Sequence, residues 1–257
     1  MPNWTLKSRM AGGDSTIGSW LNLSSPFFTE MMAKAGFDWL VVDMEHGTSG
    51  QTELIDLIQV IDLAGLPALV RVGDNNPYLI KRAMDAGACG VIVPMVKTVE
   101  DILAARDALY YPPKGSRGVG LTRAHDFGLG FDEYKEQAAQ NSILIAQIEH
   151  VDAIENLTSI LDVDEVDGFI VGPYDLSGSI GKPGRFDDPE VVAQLDRATE
   201  IIKHHKKPGG YHIVHSDHAL LKQRLDEGCR FVAYGTEMIF MAEKLRDESA
   251  FIQSLKK

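Results

Sequence analysis

The segment Ser142–Ser177, SILIAQIEHVDAIENLTSILDVDEVDGFIVGPYDLS, decides how the chain is organised. It holds two short apolar runs, Ile143–Ile148 and Gly168–Val171, and each leads to a carboxylate. Glu149 closes the first run, and Asp175 follows the second by one tight turn, Gly-Pro-Tyr-Asp. Between them Ile154, Leu157, Ile160 and Leu161 recur at helical spacing. A strand, a crossover helix and a second parallel strand place both strand ends on one edge of a sheet. Two carboxylates 26 positions apart then stand side by side, which suits a hard divalent cation that prefers oxygen ligands. The bland alternative is a pair of solvated acids at helix N-termini.

Outward from this unit a loose motif recurs: a helical pattern, a small residue or glycine, then an apolar run ending in polar residues. It appears as AGFDWLVVDMEHG, AGLPALVRVGD, AGACGVIVPMV, DGFIVGPYD, GGYHIVHSD and EGCRFVAYGTE. The glycines suit helix C′ positions, and the runs that follow are rich in Val and Ile. Eight runs result, at about 17–23, 39–44, 67–72, 90–96, 143–148, 168–171, 210–214 and 231–235. Helical patterns fill most of the gaps, at Pro26–Ala35, Gln51–Leu63, Pro77–Ala86, Val99–Leu109, Pro189–His204 and His218–Asp226. Strands buried on both faces and alternating eight times with helices predict a single-domain (β/α)8 barrel. An open doubly wound sheet competes, but no GxGxxG follows the first run and no composition shift marks a second half. Residues 111–140, rich in Gly, Pro and charge, do not fit a simple unit and read as a long excursion.

At 257 residues the chain has the size of one such barrel. A net charge of −12 argues against nucleic acid and anionic membrane surfaces as partners. No apolar run approaches the ~18 residues that a spanning helix needs. The opening MPNWTLKSRMAGG has no apolar h-region and reads as a short arm. Cys89 and Cys229 read as small buried residues, with no metal or disulfide spacing. A cytoplasmic location is the expectation.

In a (β/α)8 barrel, chemistry gathers at the C-terminal ends of the strands. Here those ends carry Asp43, Glu45 and His46, then Arg71, Pro94 and Lys97, then Gln147 and Glu149. Tyr174 and Asp175, His212 and His215, and Thr236 and Glu237 follow. A packed core does not need so many polar groups on one rim. Such a set could bind a metal, stabilise a developing enolate with Arg71 and move a proton with His46. The structural readings differ: His46 as a turn residue, Arg71 in a surface bridge with Asp43 or Asp74, and Lys97 solvated beside a helix cap. His204 and His205 read as solvated partners of a helix C-terminus.

DWLVVDMEHG, ALVRV, KRAMDAGACGVIVPMV, YPPKGSRGVG, IAQIEH and GFIVGPYDLSGSIG resemble the signatures of the class II, pyruvate-dependent aldolases of the HpcH/HpaI family. The resemblance runs from about Gly18 to Phe240, with the motifs in order. It implies a pyruvate-type (β/α)8 barrel and a bound Mg2+, Mn2+ or Co2+. It further implies reversible cleavage of a 4-hydroxy-2-oxo acid to pyruvate and an aldehyde. By the same resemblance Glu149 and Asp175 hold the metal, and Gln147 contacts substrate. His46 is the catalytic base, Asp85 raises its basicity, and Arg71 stabilises the enolate. The backbone of Gly172, Pro173, Tyr174 and Asp175 holds the pyruvate carboxylate, while Asp43 and Glu45 support. Arg123 is family-like.

His212 and His215 depart from the family's apolar or small residues, and His125, Asp126 and Phe127 follow no one member's pattern. His212 and the 121–127 loop are therefore expected to tune the acceptor toward a polar or hydroxylated aldehyde. Competing readings are a CoA-thioester lyase of the citrate-lyase-like type, a Schiff-base aldolase using Lys97, and a non-catalytic barrel. The family forms hexamers with exchanged C-terminal helices, and residues 238–255 could make such a contact or cover their own barrel.

Overall fold

Eight parallel strands close on themselves in sequence order, β1 beside β2 and so on until β8 returns to β1, in a computed structural model that describes residues 1–256. A short helix, α1 (Thr5–Ala11), precedes β1 (Thr16–Leu21), α2 (Pro26–Ala33) and β2 (Trp39–Asp43). Next come α3 (Gln51–Leu63), β3 (Ala68–Arg71), α4 (Pro77–Ala86), β4 (Gly90–Val93) and α5 (Val99–Leu109). A short 3-10 segment (Arg123–Gly128) and α6 (Phe131–Asn141) lead to β5 (Ile143–Ile148), α7 (Val151–Leu161) and β6 (Gly168–Val171). The chain ends with α8 (Pro173–Ser179), α9 (Pro189–His204), β7 (Gly209–Ile213), α10 (His218–Asp226), β8 (Phe231–Thr236) and α11 (Glu237–Ser254). The expected (β/α)8 barrel is the observed one.

Side chains alternate between the barrel interior and the helix layer, as a period of two requires. Trp20, Trp39, Val41, Leu69, Ile92, Ile143, Ile145, Ile170 and Phe231 form one buried cluster inside the ring. A larger cluster, including Val42, Ile58, Met84, Leu157 and Phe169, lies between strands and helices. Gly18 is small because Trp39 fills the space beside it: a Cβ there would stand 2.1 Å from the indole ring.

Two expectations need correction. The opening residues are not a free arm: α1 buries Leu6 and Met10 against the interior cluster and so closes the lower mouth. Residues 111–140 are not a plain loop either, because the 3-10 segment and α6 occupy much of them. This excursion packs Tyr111, Ala124, Tyr134 and Ala138 into their own buried cluster beside Trp4. No helix among the described residues is long and apolar enough to cross a membrane.

Candidate active site

The strand register delivers the central pair. Asp43 is the Cα partner of Arg71 across β2 and β3, and both point into the barrel. The Arg71 guanidinium grips Asp43 with two bonds, Nε to Oδ1 at 2.9 Å and Nη2 to Oδ2 at 2.6 Å. Asp43 is fully buried and Arg71 only 7% exposed, so this is no surface bridge. Asp43 Oδ1 also accepts the N–H groups of Glu45 and His46 at 3.1 and 3.3 Å, which shapes the turn after β2. Asp43 Oδ2 takes a further bond from Asn22 Nδ2 at 2.7 Å. One carboxylate therefore fixes both the arginine and the loop that presents His46.

Arg71 Nη1 also faces Glu45 Oε2 at 2.9 Å, and His46 Nε2 lies 3.9 Å from that same oxygen. The His46 side chain is exposed at the rim. On β5, Gln147 and Glu149 follow Ile143 and Ile145 along the inward face. Glu149 is 2% exposed, accepts a bond from Gln147 Nε2, and takes the Met95 N–H at 2.6 Å. Met95 reaches it from a left-handed backbone, φ 53°, which is uncommon for a side chain of this size. Gly172, at the N-cap of α8, has no room for a side chain: a Cβ would meet Glu149 Oε2 at 3.1 Å and its Cβ at 3.3 Å. Tyr174 and Asp175 then stand in the first turn of α8, where N–H groups lack helical partners.

These residues surround a cavity of about 260 Å³ at the C-terminal mouth. His46, Arg71, Gln147, Gly172, Pro173, Tyr174, Asp175 and His212 all line it, with Trp20 and Asn22. His212 stacks on Trp20, centroids 4.5 Å apart, and Arg71 lies 5.6 Å over the same indole. Burial, with the nearby Arg71 charge adding to it, pushes the His212 imidazole down to about 4, so it is neutral near pH 7.

Electrostatically the rim holds more acid than base. Burial pushes Glu149 up to about 7, with Glu45 and Asp175 adding repulsion against the Met95 and Gln147 bonds. Glu45 is raised as well, chiefly by burial. Gln147 Oε1, Asn22 Oδ1 and His212 Nε2 are buried without hydrogen-bond partners. Acidic oxygens, desolvated and mutually repelling, beside orphaned acceptors form a donor set that fits a hard divalent cation. Glu149 and Asp175, near enough to repel one another, could supply carboxylate oxygens to it. Among the described residues no three His, Cys, Asp or Glu side chains lie close enough to enclose a metal alone. Water and substrate oxygens would complete such a shell.

Two expected site residues lie elsewhere. Asp85 is near the C-terminal end of α4, and that end faces the N-terminal side of the barrel, opposite the rim. Its carboxylate binds Arg117 Nη2 at 2.6 Å and makes no contact with His46. Within one chain Asp85 cannot raise the basicity of His46. Arg123 is held at the same lower end, by Asp62 at 2.6 Å and the Ala86 carbonyl at 3.2 Å. His125 is buried against Phe131 and Tyr134. The 121–127 loop therefore does not border the pocket, and only His212 remains of the expected acceptor-tuning pair. His215 pairs with Glu243 at 2.9 Å. No lysine, Lys97 included, lines the pocket among the described residues. Trp20 and Asn22 escaped sequence reading because they sit within the apolar run 17–23. Alternation from Gly18 through Trp20 was the signal that would have put Asn22 on the inner rim.

Residues 16–243 match the family described as HpcH/HpaI aldolase/citrate lyase. The 4-hydroxy-2-oxo-heptane-1,7-dioate aldolase of Klebsiella pneumoniae is 38% identical over 242 residues, covering 93% of this chain and 90% of that protein. The hydroxypyruvate/pyruvate aldolase of Cupriavidus necator is 36% identical over 250 residues, covering 96% and 92%. A solved HpcH/HpaI aldolase/citrate lyase family protein from Burkholderia cenocepacia has a TM-score of 0.89 at 30% identity, covering 98% of this chain and 99% of that one. Match and fold agree across nearly the whole length, and the chain belongs to the HpcH/HpaI aldolase/citrate lyase family.

Proposed function

We propose that the chain is a divalent-metal-dependent carbon–carbon lyase that reversibly cleaves a 4-hydroxy-2-oxo acid into pyruvate, or a close 2-oxo acid, and an aldehyde. The observation that carries this reading is the meeting of Asp175, Gln147, Arg71 and His46 around one pocket at the barrel mouth, with Glu149 directly behind Gln147 and Gly172. The names of the relatives, all 2-oxo-acid aldolases, support it.

Each residue has a part that its setting allows. A divalent ion, Mg2+, Mn2+ or Co2+, would when bound polarise the 2-oxo group and offset the acidic rim. The free N–H groups at the start of α8, after Gly172 and Pro173, donate to the substrate carboxylate. Arg71, locked by Asp43, points unused N–H groups at the oxygen that gains charge, and its orientation costs nothing at the moment of reaction. His46 removes the C4 hydroxyl proton. The C3–C4 electron pair then becomes the enolate, and the aldehyde departs. Reprotonation at C3 gives the 2-oxo acid. Glu45, beside both His46 and Arg71, holds the two in register. Neutral His212 offers its unpartnered Nε2 to the aldehyde half.

The test is aldol addition of pyruvate to an aldehyde panel after chelation, and again with each metal restored. Metal-dependent product is expected; activity that survives full metal removal, with borohydride trapping of a pyruvate adduct, contradicts the reading. The reading also includes a cytoplasmic enzyme, in keeping with two free buried thiols, Cys89 and Cys229. It includes a homo-oligomer, a hexamer by resemblance, because α11 exposes Leu245, Phe251 and Ile252. In such an assembly Asp85 reaches His46 only if a second copy supplies it.

A further inference from the structure

We infer that the aldehyde half of the substrate carries an unbranched apolar tail, seated in a second cavity that adjoins the catalytic pocket. This inference rests on the aldolase reading and adds the acceptor class. The second cavity, about 360 Å³, shares Pro173, Tyr174, His212 and Val214 with the catalytic pocket as common walls. It lies between the outer face of β7 and the helix layer. On its α10 side no residue is fully buried, and Leu220 borders the space.

The wall is apolar: Phe186, Leu195, Ile213 and Leu220 face the space, with the ring of Tyr211. Apart from Tyr174 and His212 on the shared wall, its polar groups are engaged elsewhere. Tyr211 Oη pairs with Thr199 at 2.8 Å and the Leu195 carbonyl at 2.9 Å. Arg224 lies 4.1 Å over the Tyr211 ring and is paired with Glu227 at 2.7 Å. Asp217 caps α10 through Leu220 N–H at 2.9 Å, and His215 is held by Glu243. The contrast with the catalytic pocket is chemical. There, buried donors and acceptors wait without partners; here, beyond the shared wall of Tyr174 and His212, the one guanidinium is neutralised. A tail with a phosphate or carboxylate would find no free charge, whereas methylenes would leave water at no polar cost. The shared wall is polar at His212 and the far chamber is not, so the expected preference for a polar aldehyde holds only next to the reacting carbon.

The experiment measures kcat/KM for aldol addition to straight-chain aldehydes from propanal to heptanal, with metal restored. Each methylene that enters should raise kcat/KM by about threefold to fourfold until the chamber is full. Leu220→Trp, which fills the chamber from α10, should bring heptanal down more than tenfold to the propanal level and leave propanal unchanged. Leu195→Trp fills it from α9 and gives the same readout if the first variant does not fold. A flat series with clear propanal activity overturns the tail site and leaves the aldolase standing. Variants that lower propanal and heptanal equally overturn it too. No product with any acceptor or metal overturns the aldolase reading itself, and the inference falls with it.

Discussion

On β2 the inward side chains run Trp39, Val41, Asp43 from the bottom of the barrel to its mouth, and on β5 they run Ile143, Ile145, Gln147. The lower layers are close-packed: Trp39 Nε1, buried, donates to Thr16 Oγ1 at 3.1 Å, and α1 seals the end. The upper layer is built the other way. It sets Asp43 and Glu45 on a single guanidinium, brings Glu149 and Asp175 close enough to repel, and leaves buried polar atoms unpaired. One set of strands thus carries stability at one end and reactivity at the other, two residues apart. The lower half packs its side chains against one another, while the upper half turns polar groups into an open pocket.

The comparison can be broken by substitution. His46→Ala should lower kcat by about 10²–10⁴, the usual worth of a positioned proton-transfer group. Its side chain is exposed, so Tm should hold; retention of most activity would remove His46 from the chemistry. Arg71→Lys keeps the charge but loses the two-pronged grip, and kcat should drop about 10²–10³-fold in steady-state assays. Trp39→Ala is the mirror case. It should cost about 3–5 kcal/mol in denaturant unfolding, with kcat of the folded fraction near wild type. If Trp39→Ala loses kcat while Arg71→Lys loses only stability, the division between halves is wrong.

A smaller effect concerns pH. The folded His212 is pushed down to about 4 from the ordinary 6.5, so between those values the unfolded chain takes up a proton that the folded chain refuses. Stability is complete above pH 6.5 and declines as pH falls toward 4, by at most roughly 3 kcal/mol. His212→Asn should flatten that part of the Tm curve; an unchanged slope assigns the dependence elsewhere. The mildest change is Leu245→Glu on α11, exposed in the single chain. Light scattering should show a shift to smaller assemblies, and an unchanged mass would remove α11 from the proposed contact.

Legibility followed the same division. β5 and β6 fall at the ends read from sequence, since fully buried strands between capped helices leave sharp apolar edges. The rim residues on strand ends were readable because alternation carries them inward. α1 was not, as only Leu6 and Met10 mark its buried face in a polar segment. α6 was hidden for a like reason, with Tyr134 and Ala138 its only buried residues. Asp85 and Arg123 were assigned by motif alone. Topology overrules that within one chain, because helix C-termini in a βα unit return to the bottom of the barrel.

The central claim is that the unpaired upper layer is a cation site. Calorimetric titration of chelator-treated protein with Mn2+ tests it most directly, with Glu149→Gln alongside. The account predicts one site per chain in the wild type and at least a hundredfold weaker binding in the variant, with the far-UV CD spectrum unchanged. Equal Mn2+ affinity in both proteins would contradict it.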